Sequence, residues 1–410
     1  LTGGEPALDV QRDSDGGYTV EVSVGELRFF DVATPSGDFS RLLIPGFHAS
    51  QTVGEPCLPT MNRLVATPPG ATATVEVVAS QTRRLRLADH GDTSPLKPAQ
   101  PSLAKNVDPA TAPFRLDAAT YAAAGLRAAA EPVRLVPQGR LRAVDFARLE
   151  IAPVRYDPVA GEIEVTERMT VRVRFTGGDE AAAAELAART WSPFFEGVYS
   201  RIEGARGLHD SYPDHVRDEV SYVIITPAMF TAQLADFIRW KTERGFRVTV
   251  GEIGSPEVGS TASNIQSYIH GLYESATPEQ PAPSFVLFVG DVAQCPTFQV
   301  SGDPTDRPYC AVGGDIVPDI YYGRFSATNA SQLQAILDKT MMYDQFTMPD
   351  PSYLDEVVLI AGYDSNFGPT HGNGTINYAT GTYFNAAHGI DADVHLYPQS
   401  GGQSSQIIAE

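Results

Sequence analysis

The period of the hydrophobic pattern changes once along this chain, near residue 220, and that change constrains the fold more than any other feature. Before it, apolar residues alternate with polar ones or form β-branched runs between turn residues, as in Tyr18 to Val24, Thr74 to Ala79, Leu141 to Leu149 and Met169 to Phe175. Asp157-Pro158 and Ala160-Gly161 supply a turn between two such runs. A period of two buries one face of a sheet, so this half reads as an antiparallel β domain. After the change, Ser221 to Thr226 is apolar without interruption, Phe230, Leu234, Phe237 and Ile238 recur at helical spacing, and Arg247 to Val250 is strand-like again. Ile265, Tyr268, Ile269 and Leu272 mark a second helix, and Leu333, Ile336, Leu337 and Met341 a third. Phe285 to Val289, Asp319 to Tyr322 and Val357 to Ala361 are further strands. Strands buried on both faces and alternating with helices require a mainly parallel sheet covered on both sides.

The joints follow from composition. With 410 residues, 42% of them hydrophobic, the chain is long enough for two cores. A short Ala-rich helix is expected near Glu180 to Arg189. The polar, Gly- and Pro-punctuated stretch Arg201 to Glu219 is then a boundary and a place for proteolytic nicking. The expected division is an antiparallel β domain over 1–205, a linker over 206–220 and an α/β domain over 221–410. A Pro- and Ala-rich stretch, Ser94 to Pro113, interrupts the first domain as a long surface loop, either functional or a plain connection.

A formal charge of −20 repels phosphate backbones and anionic membranes, so no nucleic-acid partner is expected. No apolar run reaches the roughly twenty residues of a membrane span, and the first residues lack the pattern of a signal peptide. Three cysteines, Cys57, Cys295 and Cys310, make neither a disulfide framework nor a zinc pattern, although Cys295 and Cys310 could pair.

In open parallel sheets, ligands gather beyond the carboxyl ends of the strands, and two carboxylates stand just past such ends, Asp291 and Asp364. Asp315 and Asp319 lie close to one another in AVGGDIVPDIYYGRF. Carboxylates and carbonyls around glycines suit calcium, and they equally suit turns facing water. Asp364 enters the Gly- and Asn-rich loop SNFGPTHGNG, which either shapes a pocket or merely connects. His371, in that loop, reads as solvated.

The second half resembles the catalytic domain of the gingipains, bacterial cysteine endopeptidases with a caspase-like α/β fold. SYVIITPAMFTAQLADFIRWKTERGFRVTV, SFVLFVGDVAQCP, DIYYGRFSATNASQLQAILDKTMMYDQ and VVLIAGYD carry the likeness. The first half is similar to the family's prodomain in GEPCLPT at Gly54 to Thr60 and IAPVRYDPVAGEIEV at Ile151 to Val165. The resemblance implies a β-rich prodomain followed by an α/β caspase-like domain truncated at its C-terminal side. It also implies a structural calcium held by Asp291, Asp315 and Asp319 with the carbonyls of Val312 and Val317. Asp319 stands where relatives have a longer Glu.

By the same resemblance, Asp364 occupies the place of the acid that orients the catalytic histidine. Thr375 falls where arginine-specific members have an Asp in the primary specificity pocket, so arginine is disfavoured. The family's catalytic His and Cys would come after residue 410, and none of the three cysteines present fits the nucleophile. The expectation is therefore a secreted or cell-surface bacterial zymogen that acts on proteins or peptides. Its own prodomain would pack over the cleft until cleavage near Arg201 to Glu219, and the remainder of the catalytic domain would lie further along or on a separate chain. Residues 1–410 alone would be inactive. The alternative is a secreted binding or adhesion module on the same fold.

Overall fold

The computed structural model describes residues 7–91, 93–103, 111–128, 131–205, 219–362, 364–365 and 367–402. The chain forms two compact units, one of residues 1–100 and 115–339, the other of 101–114 and 340–410.

In the first unit, period-two alternation produces two antiparallel sheets. One runs Ala7–Arg12, Tyr18–Ser23, Glu162–Thr176, Val154–Asp157, Arg127–Ala128, with the long strand Thr72–Arg86 also paired to Glu162–Thr176. The other runs His48–Ala49, Pro59–Thr67, Val144–Ile151, Val133–Leu141. Val20, Val22, Val171 and Val173 from the first sheet meet Met61, Val65, Leu149 and Ile151 from the second in one buried core. The intervening residues turn outward and carry paired charges, such as Arg84 and Arg155 on Glu164.

The continuous apolar runs form a parallel sheet in the same unit, ordered Phe246–Ile253, Val220–Pro227, Phe285–Val289, Tyr321–Phe325. Val223, Ile225, Val286 and Phe288 pack on one face against Ile265 and Ile269 of the helix Ala262–Glu274. The helix Ala235–Glu243 brings Phe237 against Tyr222 and Phe325. In the second unit, Glu356–Ile360 pairs in parallel with Asp391–His395, and a π-helical turn, Gly368–Gly372, leads into the helix Asn373–Thr382.

Three expectations are corrected. Leu141 to Leu149 is not one strand: Val133–Leu141 and Val144–Ile151 form a hairpin whose two-residue turn is Arg142-Ala143. The sequence carries no signal for this turn, because Arg142 adopts φ 54° at a place where hairpins ordinarily use Gly, Asn or Asp. The start of the Ser94 to Pro113 stretch is not a loose surface loop. Leu96 is fully buried, and backbone hydrogen bonds tie Lys97 to Ser40 and Ala99 to Glu55. The strand expected at Asp319 to Tyr322 begins at Tyr321, leaving Asp319 in the turn before it. The antiparallel half and the first strands of the α/β half also cluster in one unit. Most of the expected linker, residues 206–218, lies outside the described residues, as do 104–110 and 403–410.

Candidate functional site

Asp291 lies where the strand Phe285–Val289 ends, and Gly290, at φ 114°, turns the chain there. Its amide donates to the Ala327 carbonyl at 3.0 Å. Its carboxylate accepts from the Val292 amide at 2.8 Å and the Ser326 hydroxyl at 3.1 Å.

Asp319 precedes the neighbouring parallel strand Tyr321–Phe325, at the amino ends of the same sheet. Because Phe285 pairs with Tyr321 and Val289 with Phe325, Asp291 and Asp319 stand at opposite ends of adjacent strands. At about 3.3 Å per residue this separates them by roughly 25 Å.

Asp319 is 2% exposed. Its Oδ1 accepts from the Arg142 amide at 2.7 Å, and its Oδ2 from the amides of Val312 at 2.9 Å and Gly313 at 3.1 Å. Burial pushes its carboxyl above the ordinary Asp value, against the pull of these three donors. Asp315 is tied down in the same way. Its Oδ2 accepts from the Arg140 amide at 2.8 Å and its Oδ1 from the Val317 amide at 2.7 Å. Gly139 permits that approach, since a Cβ there would meet the Asp315 carboxylate at 2.3 Å.

The five residues expected to hold calcium are therefore not brought together. Asp291 stands at one end of the sheet, Val312 to Asp319 at the other, and the carboxylates of Asp315 and Asp319 already accept backbone N–H groups. Among the described residues no group of three or more His, Cys, Asp or Glu side chains is placed to hold a metal ion. As arranged, this donor set does not fit calcium.

The loop past Glu356–Ile360 is built differently. Asp364 is half-buried, and its Oδ1 accepts from the Phe367 amide at 3.2 Å while its carbonyl accepts from Gly368 at 2.7 Å. His371 is exposed, with its ring 5.7 Å from that of Phe367. Thr375, also exposed in the first turn of Asn373–Thr382, donates its hydroxyl to the His371 carbonyl at 2.7 Å. A strand end thus delivers a carboxylate, an imidazole and a hydroxyl into one loop and helix start.

All three cysteines are free. Burial raises the thiol of Cys57, pushes that of Cys295 up to about 11, and raises that of Cys310 further still. An attacking thiolate needs the opposite shift.

Sequence reasoning missed Arg142, which is 1% exposed. Its guanidinium donates to the carbonyls of Thr190, Pro283 (2.8 Å), Asp319 (2.7 Å) and Ala282 (3.3 Å). It also lies 4.9 Å from the ring centre of Phe195 and 5.4 Å from that of Tyr273. The signal available was negative: a hairpin-length pair of apolar runs joined by residues that do not ordinarily make turns. No helix among the described residues is long and apolar enough to cross a membrane.

Residues 2–189 match the family model Propeptide_C25, and residues 215–403 match that of peptidase family C25. Lys-gingipain HG66 of Porphyromonas gingivalis is 35% identical over 390 residues, covering 93% of this chain and 22% of its own length. Gingipain R1 of the same organism is 25% identical over 369 residues, covering 87% of this chain and 34% of its own. A solved structure of gingipain K from that organism, described in terms of zymogenic latency, is 32% identical over 43% of this chain and 97% of its own, at TM-score 0.41. The chain thus spans only 22% of the length of the Lys-gingipain it matches.

Proposed function

The chain belongs to peptidase family C25 as a gingipain-like cysteine peptidase with its propeptide, and from that premise we propose that it is the zymogen of a secreted bacterial endopeptidase. The observation that carries this is the presence of both family models on one chain, propeptide ahead of peptidase. Peptide-bond hydrolysis would proceed by attack of a cysteine thiolate on the scissile carbonyl. A histidine would give its proton to the leaving amine, and water would then hydrolyse the thioester. The raised thiols of Cys57, Cys295 and Cys310 support the reading that none of the three is the nucleophile, in which case residues 1–410 alone would not turn over peptides.

Asp364 would act as a positioning residue. Its carboxylate, at a strand's carboxyl end and only half-buried, would hold the histidine's tautomer and favour its charged form. Thr375 offers no charge for a guanidinium, and the relatives at 35% identity are named Lys-gingipains, so lysine is proposed over arginine as the preferred residue. Latency would come from the propeptide. Calcium has no part in the proposal, because its expected donors do not converge.

The test is expression of the protein extended along its natural gene, with a casein or peptide-library assay before and after cleavage within 206–218. Turnover that appears on cleavage supports the zymogen. Absence of any turnover favours a non-enzymatic binding module on the same fold.

A further inference from the structure

Arg142 is a bulky residue held at positive φ, buried, and spending four of its five guanidinium N–H donors on a site outside its own sheets. Such strain persists only where the surroundings over-determine it. The surroundings here are the amino ends of the parallel strands. Ala282 and Pro283 lead into Phe285–Val289, and Asp319 leads into Tyr321–Phe325.

The chain following the propeptide's last helix, Glu180–Thr190, lies along the same ends. The Arg189 carbonyl accepts from the Ala282 amide at 2.9 Å, and the hydroxyls of Ser192 and Ser284 meet at 2.8 Å. Phe194 packs edge-on to Phe285 at 4.8 Å and stacks near Phe246 at 5.8 Å, while Phe195 stacks on Tyr321 at 4.4 Å. Phe246, Phe285 and Tyr321 are each the first residue of a parallel strand. The seam therefore sits about 15 Å, one five-residue strand, from the carboxyl ends of this sheet.

We propose that Arg142 is the anchor that docks the propeptide domain on the amino ends of the peptidase sheet, a holding site separate from any contact that blocks the cleft. Its planar fork satisfies four carbonyls at once and covers its faces with Phe195 and Tyr273, something a lysine ammonium cannot do. Three of those carbonyls, on Ala282, Pro283 and Asp319, belong to the peptidase region, and Asp319 in turn accepts the Arg142 amide. The hold does not depend on the covalent linker, so cutting within 206–218 leaves the two pieces associated. Release then requires a second event at the seam. This rests on the reading of residues 2–189 as a propeptide.

The experiment places a site-specific protease sequence within 206–218 of the full chain, cuts it, and measures association of the pieces by size exclusion and by dilution. The uncut and cut chains are followed by hydrogen exchange. Wild-type pieces are expected to co-elute, Arg142→Lys to weaken association about tenfold and Arg142→Met at least 100-fold. Exchange should rise at 282–284 and 319–321 and stay unchanged at 144–151 and 162–176. Pieces of Arg142→Met that associate within threefold of wild type overturn the proposal, and so do wild-type pieces that separate on cutting. Loss of protection across 144–151 and 162–176 also overturns it, by making Arg142 a folding residue of its own domain. No peptidase activity is read, so an enzyme that proves inactive sinks the proposed function and leaves this result standing.

Discussion

Asp319 and Asp364 are both acids next to a parallel strand, and the structure treats them in opposite ways. Asp319, before its strand, is 2% exposed and accepts three backbone N–H groups, one of them from the propeptide hairpin. Asp364, after its strand, is half-buried and caps its loop by accepting from Phe367. A carboxylate whose oxygens are filled by fixed donors serves architecture. One that is only half-buried beyond a strand's carboxyl end is placed where chemistry can reach it. The end of the strand decides which, because crossover connections leave the amino ends to be packed and the carboxyl ends to open.

The largest effect that tests this contrast is on turnover. In the full-length activated enzyme, Asp364→Asn should lower kcat by on the order of 10³-fold with little change in KM, since an amide can neither fix the histidine's tautomer nor balance its charge. Steady-state kinetics on one peptide decides it. A kcat unchanged within threefold would end the assignment of Asp364 as the positioning acid.

Asp319→Ala should act on stability instead. The buried Arg142 amide and the part-buried amides of Val312 and Gly313 lose their acceptor, at about 1–3 kcal/mol for a buried group and less where water can reach, so a total of about 2–4 kcal/mol is expected. Chemical denaturation of the 410-residue chain reads it. A stable Asp319→Ala chain whose full-length form loses turnover would reverse the contrast between the two acids.

A smaller change concerns specificity. Thr375→Asp in the full-length enzyme should shift the kcat/KM ratio of arginine over lysine substrates upward by about tenfold, because a carboxylate can meet a guanidinium with two parallel hydrogen bonds. An unchanged ratio would move the specificity pocket away from the Asn373–Thr382 helix.

The parallel half was legible because a strand buried on both faces is a continuous apolar run, and Ser221 to Thr226 and Phe285 to Val289 have no other good reading. The loop that starts at Asp364 was legible for the same reason, as the first polar stretch past such a run, whereas Thr375 came from the family resemblance alone. The grouping of Asp291 with Asp319 failed on topology: both flank neighbouring strands, but parallel pairing sends them to opposite ends. The Arg142 turn failed on local chemistry. Nothing in Leu141-Arg142-Ala143-Val144 favours positive φ, and the conformation is held by acceptors that come from residues 190, 282, 283 and 319. Long-range contacts that override local preference leave no local trace.

Glu164 supplies the weakest and most general case, an acid on the outer face of the antiparallel sheet. The Arg84 hydrogen bond, opposed by partial burial and helped by Arg155, holds its carboxyl below the ordinary Glu value. A lowered value means that the stabilisation is present above the unfolded pKa, near 4.3, and is lost as pH falls through the folded one. With Arg84 at 65% and Arg155 at 47% side-chain exposure, screening limits the effect to about 0.5 kcal/mol. Glu164→Gln should therefore lower the denaturation midpoint slightly at pH 7 and leave it unchanged near pH 3, where wild type has lost the same interaction. A Glu164→Gln deficit that persists at pH 3 would show that the side chain acts by packing rather than by charge. A deficit of several kcal/mol at pH 7 would show that exposed pairs on this sheet rival the buried Asp319, and burial would then no longer mark the acids that hold the fold.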